Sequence, residues 1–117
     1  MKIQIRFKGI KPAHRHPDYV RRRLMFALDR FSTLIDSVFV RIEDVNGPRG
    51  GVDQKCGILV KMRQGGNLWM DGMEEGWRAA VDHVSHRMGE AVARLLQSRR
   101  ALRFESGFVP KTHLNRF

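Results

Sequence analysis

The sequence predicts an α+β domain with the element order β-α-β-β-β-α, in which a four-stranded, mostly antiparallel sheet carries two helices on one face. Three observations predict this fold. Apolar residues alternate with polar ones in four short segments, which is the period of a half-buried strand. In two longer segments they recur every three or four residues, as in an amphipathic helix. Two apolar helical stripes are buried together when both helices lie on the same side of a sheet.

The first strand and the first helix are expected in the N-terminal third. Ile3, Ile5 and Phe7 alternate with polar residues and would face the core. Pro17 suits the first turn of a helix, where its missing N–H is not needed. The helical spacing that follows continues over Val20, Leu24, Ala27, Leu28, Phe31, Leu34 and Ile35.

Three strands and a second helix are expected next. The second strand alternates at Val38, Val40 and Ile42, the third spans residues 55–63, and a glycine turn leads into a short fourth strand around residues 68–70. We expect the second helix to begin near Glu74, since carboxylates favour the positive end of a helix dipole. Its core stripe is Trp77, Ala80, Val81, Val84, Met88, Ala91, Val92 and Leu95.

The chain of 117 residues suits one domain. We place one folded domain at residues 1–103 and a basic C-terminal tail at residues 104–117. We expect this tail to be a disordered end, the alternative being an arm that contacts the ligand of the domain.

The charge balance points to a polyanionic partner. Twenty-two Lys and Arg against twelve Asp and Glu give a formal charge of +10. Each phosphate that such a domain neutralises releases a condensed counterion, which favours nucleic acid, although anionic membranes and acidic proteins attract the same charge. A single cysteine excludes an intramolecular disulfide, and neither a signal peptide nor a membrane span is apparent. These features predict a cytoplasmic protein.

A first candidate RNA-binding surface lies on the first helix. At 100° per residue, arginines and aromatic rings share one stripe off the core side. Arginine matches phosphate geometry and stacks on bases, as exposed aromatic rings do. Alternatively, the two rings cover the edge of the core and the arginines form a solvated face. The stripe comprises Tyr19, Arg22, Arg23, Phe26 and Arg30.

A second, less specific stripe lies on the second helix. It contains His83, Arg87 and Arg94, with Glu90 between the arginines, so helix salt bridges are an alternative explanation. Two helices that present arginines side by side would form a groove or ridge for phosphates. Further candidates are Arg99 and Arg100, beyond the core stripe, and Arg49 in a glycine-rich loop, which is otherwise a flexible hairpin tip.

The sequence favours no enzyme, metal or cofactor. His14 and His16 lie in a loop and His83 and His86 on a helix, but neither pair has the cysteine partners of a zinc site, and neighbouring arginines would repel a cation. A metal-free nuclease that uses two histidines remains the alternative. Neither a phosphate-binding loop nor a dinucleotide-binding signature is present.

Several segments resemble one family. The run Asp-Tyr-Val-Arg-Arg-Arg-Leu at residues 18–24, with Phe31 after it, resembles the first-helix signature of the ribosome hibernation promoting factors, also called ribosome-associated inhibitors or ribosomal subunit interface proteins. The run Ala-Ala-Val-Asp at residues 79–82 resembles the motif that opens their second long helix. Residues 43–53 are similar to a loop of a short-form branch. The resemblance covers residues 1 to about 100.

The resemblance implies a double-stranded-RNA-binding-like domain that binds rRNA in the mRNA and tRNA channel of the small ribosomal subunit and silences translation during stress. The basic positions that carry over are Arg22, Arg23, Arg87 and Arg94. Family members usually carry more lysine and arginine along the second helix. The chain has too few residues after Arg103 for the dimerisation domain of long-form relatives, so the resemblance does not imply that the protein pairs ribosomes by itself. We expect a monomer with no small-molecule substrate and no membrane partner. A general RNA-binding protein of this fold and a basic protein-interaction module remain alternatives.

Overall fold

The computed structural model of the protein describes residues 1–45 and 53–106. Strand β1 spans Lys2–Lys8, helix α1 spans Pro17–Leu28, and strands β2, β3 and β4 span Ile35–Asp44, Gln54–Met62 and Asn67–Glu74. Helix α2 spans Trp77–Ser106. The predicted fold class and element order are confirmed.

The four strands form one sheet in the order β1-β2-β3-β4. β1 pairs with β2 in parallel, whereas β2–β3 and β3–β4 are antiparallel, so the sheet is mixed but mostly antiparallel. The parallel pair needs a crossover, which α1 provides. Because the sheet is mixed, the implied likeness to double-stranded-RNA-binding domains is a loose one.

One side of the sheet and the two helices enclose a single core. Val20, Leu24 and Leu28 of α1 are fully buried, and Trp77 opens the buried stripe of α2, as predicted. Every second residue of the strands completes the cluster, with partly buried Ile3, Ile5 and Phe7 on β1 and fully or almost fully buried residues on β2 and β3. The sheet side of this core is made by Val38, Val40, Ile42, Cys56, Ile58, Val60 and Met62.

The boundary between α1 and β2 differs from the prediction. The helix ends at Leu28, a 3-10 turn follows over Asp29–Phe31, and Ile35 is the first residue of β2. The spacing of Leu34 and Ile35 also fits the period of a helix. In the structure, however, Ile35 is a fully buried residue of strand β2. A buried apolar residue satisfies either period, so its position alone could not separate the two elements.

The start of α2 also differs from the prediction. β4 continues to Glu74, which lies opposite Gln54 of β3, and α2 begins three residues later, at Trp77. Gln54 Oε1 accepts a hydrogen bond of 2.7 Å from the backbone N–H of Trp77. A side chain from the sheet therefore accepts a hydrogen bond from a backbone N–H group at the start of the helix. The sequence had instead predicted that the negative charge of Glu74 and Glu75 would stabilise this end. At the other end, α2 extends to Ser106.

Candidate nucleic-acid interface

The two helices are in close contact at a glycine of α2. A Cβ built on Gly89 would lie 2.8 Å from the backbone oxygen of Ala27 on α1. This distance is shorter than real Cβ contacts, so only glycine fits without a shift of one helix. Gly89 therefore brings the candidate side chains of α1 alongside α2.

Asp82 of α2 links the helices near their N-termini. The Tyr19 hydroxyl donates to its carboxylate, with oxygen–oxygen distances of 2.7 and 2.9 Å. Arg23 Nε lies 2.8 Å from Asp82 Oδ1, which is an ion pair, although the Nε–H is not directed well enough for a hydrogen bond. Two residues of the predicted stripe are thus engaged with the protein itself. Burial and, second, the hydrogen bond to Asp82 raise the pKa of the Tyr19 phenol.

Tyr19 also belongs to an aromatic cluster around Trp77. The rings of Phe7 and Tyr19 meet the Trp77 ring edge-on, with centroids 5.4 and 5.8 Å away. The guanidinium of exposed Arg78 lies 5.5 Å from the Tyr19 ring centroid and 5.3 Å from that of Trp77. Tyr19 therefore covers the edge of the core, which was the alternative to an RNA contact for this residue.

The rest of the α1 stripe is exposed. Phe26 is 85% exposed, so it does not cover the core, and Arg22 and Arg30 are exposed beside it. The Arg23 guanidinium lies 5.8 Å from the Phe26 ring centroid, and that of Arg30 lies 4.6 Å from the ring centroid of Phe31. Arginines held over aromatic rings present both a phosphate donor and a stacking surface.

The arginines of α2 lie on the side of that helix turned away from α1. His83 Nδ1 is paired with Glu74 at the end of β4, and an Arg87 nitrogen lies 4.0 Å from where a Cβ on Gly72 of β4 would be. Arg94 is exposed. The α1–α2 groove is instead lined on its α2 side by Ser85, His86, Gly89 and Glu90. Arg23 and Arg30 therefore line the groove on its α1 side, whereas Arg87 and Arg94 of α2 face away from it.

The ion pair of Glu90 also differs from the expected one. Glu90 Oε1 lies 3.1 Å from Nε2 of His86, one turn earlier. Among the ion pairs of the described residues, none joins Glu90 to Arg87 or Arg94. Both arginines keep their charge available to a ligand.

The remaining predicted contacts are Arg99, Arg49 and Arg100. Arg99 is half-buried and donates from Nη2 to the backbone oxygen of Gly65, at 2.9 Å. Arg49 lies outside the described residues, as does the side chain of Arg100. Arg78 was missed by the sequence reasoning, because its place beside Tyr19 depends on contacts between the helices.

The described residues contain no group of three or more His, Cys, Asp or Glu placed to hold a metal ion. Cys56 is fully buried on β3, and burial raises the pKa of its thiol to about 12, which disfavours the reactive thiolate. No helix within the described ranges is both long and apolar enough to cross a membrane.

These features define a small, basic α+β domain with a mixed four-stranded sheet, both helices on one face, and arginines and an exposed aromatic ring on that helical side. Several solved structures share the fold. The N-terminal domain of Thermus thermophilus Protein Y is 21% identical, with a TM-score of 0.64 over 80% of this chain and 98% of that one. A ribosomal subunit interface protein from Coxiella burnetii is 15% identical, with a TM-score of 0.63 over 80% of this chain and 96% of that one.

At these identities the likeness establishes a common fold. The Coxiella protein bears one of the names of the family that the sequence resembles. The structural likeness and the sequence resemblance therefore lead to the same family name. No protein-family model matches the sequence. No curated protein matches it either.

Proposed function

We propose that the protein is a ribosome hibernation factor that binds rRNA of the small ribosomal subunit in the mRNA and tRNA channel and silences translation by occupancy. The observation that carries the proposal is the fold shared with the N-terminal domain of Protein Y and with a ribosomal subunit interface protein, over 80% of this chain and nearly all of each of those two structures. The sequence resemblance over residues 1 to about 100 points to the same family. The role would place the protein in the cytoplasm.

The exposed part of the α1 stripe is the main RNA contact in this proposal. Arg22 and Arg30 would bind phosphates, and Phe26 would stack on a base or pack against a sugar. Tyr19 and Arg23 act differently, since Asp82 engages both and they hold α1 in position on α2. On α2, Arg87 and Arg94 would contact a second stretch of backbone, on the other side of the groove. His83, Arg49, Arg99 and Arg100 remain predicted contacts.

Silencing by occupancy needs no chemical step. The protein would compete with mRNA and tRNA because its cations take the same phosphate-lined channel, and its affinity would fall as salt rises. A formal charge of +10 on 117 residues supports this mode of binding.

Sedimentation of the protein with small subunits through sucrose gradients tests the proposal. Arg22→Glu should reduce co-sedimentation and lower the dependence of log affinity on log salt by about one for the phosphate contact it removes. Arg22 is exposed, so stability should change by no more than about 0.5 kcal/mol. Arg63→Glu, an equal charge change at an exposed residue in the β3–β4 turn, is the matched control. Arg23 is unsuitable, since a glutamate there would face Asp82.

Equal losses in Arg22→Glu and Arg63→Glu would contradict a specific α1 contact and leave only general electrostatic attraction. Co-sedimentation with free RNA and not with ribosomes would favour a general RNA-binding protein of this fold.

A purified translation system distinguishes occupancy from catalysis. Inhibition should require about one protein per ribosome, should be prevented by preloaded initiator tRNA and mRNA, and should disappear after a high-salt wash with the RNA intact. Inhibition by substoichiometric protein, with RNA fragments that persist after the wash, would instead indicate a nuclease.

A further inference from the structure

The side of the sheet away from the helices, which we call the open face, carries an apolar row across three strands. Phe39 of β2 lies opposite Leu59 of β3, and Leu59 lies opposite Trp69 of β4. Neighbouring strands are about 4.8 Å apart, so the row extends over roughly 10 Å. Phe39 and Leu59 are partly exposed and Trp69 is 57% exposed.

A glycine gives the Trp69 ring its position on this face. A Cβ on Gly57 would lie 2.5 and 2.9 Å from two carbons of the ring, so the indole occupies the space that any other side chain at residue 57 would need. Gly57 lies one row along, opposite Asp71 of β4. The indole therefore leans along the sheet surface over Gly57, which leaves much of the ring open to solvent.

The open face is also cationic. Two acidic residues of this face each lie close to one of its cations: Asp71 Oδ2 is 3.5 Å from Lys55 Nζ, and Glu43 Oε2 is 3.8 Å from Arg41 Nη2. Lys61 Nζ lies 5.9 Å from the Phe39 ring centroid, at the border of the apolar row. The strand alternation puts six cationic side chains on this face, namely Lys2, Arg6, Lys8, Arg41, Lys55 and Lys61.

We propose that the open face is a second RNA-binding surface, which takes an unpaired, single-stranded segment. Trp69 and Phe39 stack on its bases, and the flanking lysines and arginines bind its phosphates. Aromatic rings stack on any unpaired base, whereas the bases of a duplex are already stacked on one another. This inference does not depend on the ribosomal role of the helical side. Because the two surfaces lie on opposite sides of the sheet, one molecule can hold two RNA segments.

Charge selects this occupant over a second copy of the chain. Two open faces brought together would place six cations of one copy against six of the other, with fewer acidic residues than cations on each side, and Glu43 and Asp71 already beside arginine or lysine. A single strand of RNA supplies one negative charge per nucleotide beside the base that stacks, so it satisfies the rings and the cations at once.

The test uses the full chain and a fluorescein-labelled 12-nucleotide RNA without self-complementarity, followed by anisotropy. Trp69→Ala should lower the affinity by about five- to a hundredfold, the range expected when one stacked base is lost. Met73→Ala removes an exposed apolar side chain of the same face outside the row and is the matched control, with a change of less than about twofold expected. A duplex of equal length should bind with little response to Trp69→Ala.

Intrinsic fluorescence supplies a readout that a change in folding would not imitate. Stacked bases should quench the emission of Trp69, and Trp69→Phe should remove the quench while it keeps a ring and most of the affinity. Arg22→Glu, which tests ribosome binding, should keep the quench, so the failure of either proposal leaves the other in place.

Three results would overturn the inference: an affinity that Trp69→Ala does not change, a quench that persists in Trp69→Phe, where Trp77 alone would report it, and a dimer in sedimentation equilibrium that Trp69→Ala dissociates.

Discussion

The two sides of the sheet each carry one tryptophan, and the two rings have different surroundings. Trp77 is 7% exposed, because Tyr19, Arg78 and Phe7 pack against its ring and cover it. Trp69 is 57% exposed on the open face and rests over a glycine. The same residue type therefore stabilises the fold on one side and offers a surface to a ligand on the other.

The comparison extends to the charged residues of each side. On the helical side, Asp82 engages Tyr19 and Arg23, so part of the predicted arginine stripe holds the helices together. The exposed members of that stripe, Arg22, Phe26 and Arg30, are the ones proposed to contact RNA. In this stripe, the carboxylate of Asp82 on the neighbouring helix thus separates the arginine that holds the fold from those that stay exposed.

The largest expected effect is that of Trp77→Ala. Loss of a buried aromatic side chain costs about 3–5 kcal/mol, a large share of the stability of a domain of this size. The melting temperature should fall by more than about 10 °C, as measured by circular dichroism. Trp77→Phe should recover part of the loss, because a ring still meets Phe7 and Tyr19. A melting temperature within a few degrees of the wild type would contradict the placement of Trp77 in the core.

The next largest effect on stability is expected for Gly89→Ala in the helical layer, and Gly57→Ala in the sheet is the substitution to compare with it. Gly89→Ala introduces a Cβ 2.8 Å from a backbone oxygen, so a helix must move; crowding of this kind costs about 1–3 kcal/mol and should exceed the gain in helix propensity of about 1 kcal/mol. Gly57→Ala meets only the end of the Trp69 side chain, which can rotate away.

Urea unfolding should therefore show a net loss of up to about 2 kcal/mol for Gly89→Ala and a smaller one, less than about 1 kcal/mol, for Gly57→Ala. The reverse order would mean that the helices are not in close contact at Gly89.

Periodicity was sufficient to predict the order of the elements and most of the core, because residues such as Val20, Leu24 and Trp77 recur at helical spacing and Val38, Val40 and Ile42 alternate. It failed at Ile35 and Glu74, each at the junction of two elements, where tertiary pairing decided the boundary. The open-face row could not be predicted, since Phe39, Leu59 and Trp69 become neighbours only through the register of three strands.

The contacts of the candidate site that join the two helices could not be predicted from the sequence either. Tyr19 and Asp82 are 63 residues apart, and their hydrogen bond follows from the close approach of the helices at Gly89. Helical phase alone placed Tyr19, Arg23 and Phe26 in one exposed stripe. It could not indicate which of them α2 would engage.

The smallest expected effect on stability is that of Phe26→Ala. With 85% of this residue exposed, the buried remainder is roughly 30 Å² and contributes about 0.8 kcal/mol. The contact with the Arg23 guanidinium adds about 0.5 kcal/mol at such an exposed position, and alanine returns about 0.5 kcal/mol of helix propensity. The free energy of unfolding in urea should therefore change by less than about 1 kcal/mol. A loss of 2 kcal/mol or more would mean that Phe26 covers the core, as Tyr19 does. A small loss together with weaker binding to small subunits would show that the ring serves a ligand and not the fold.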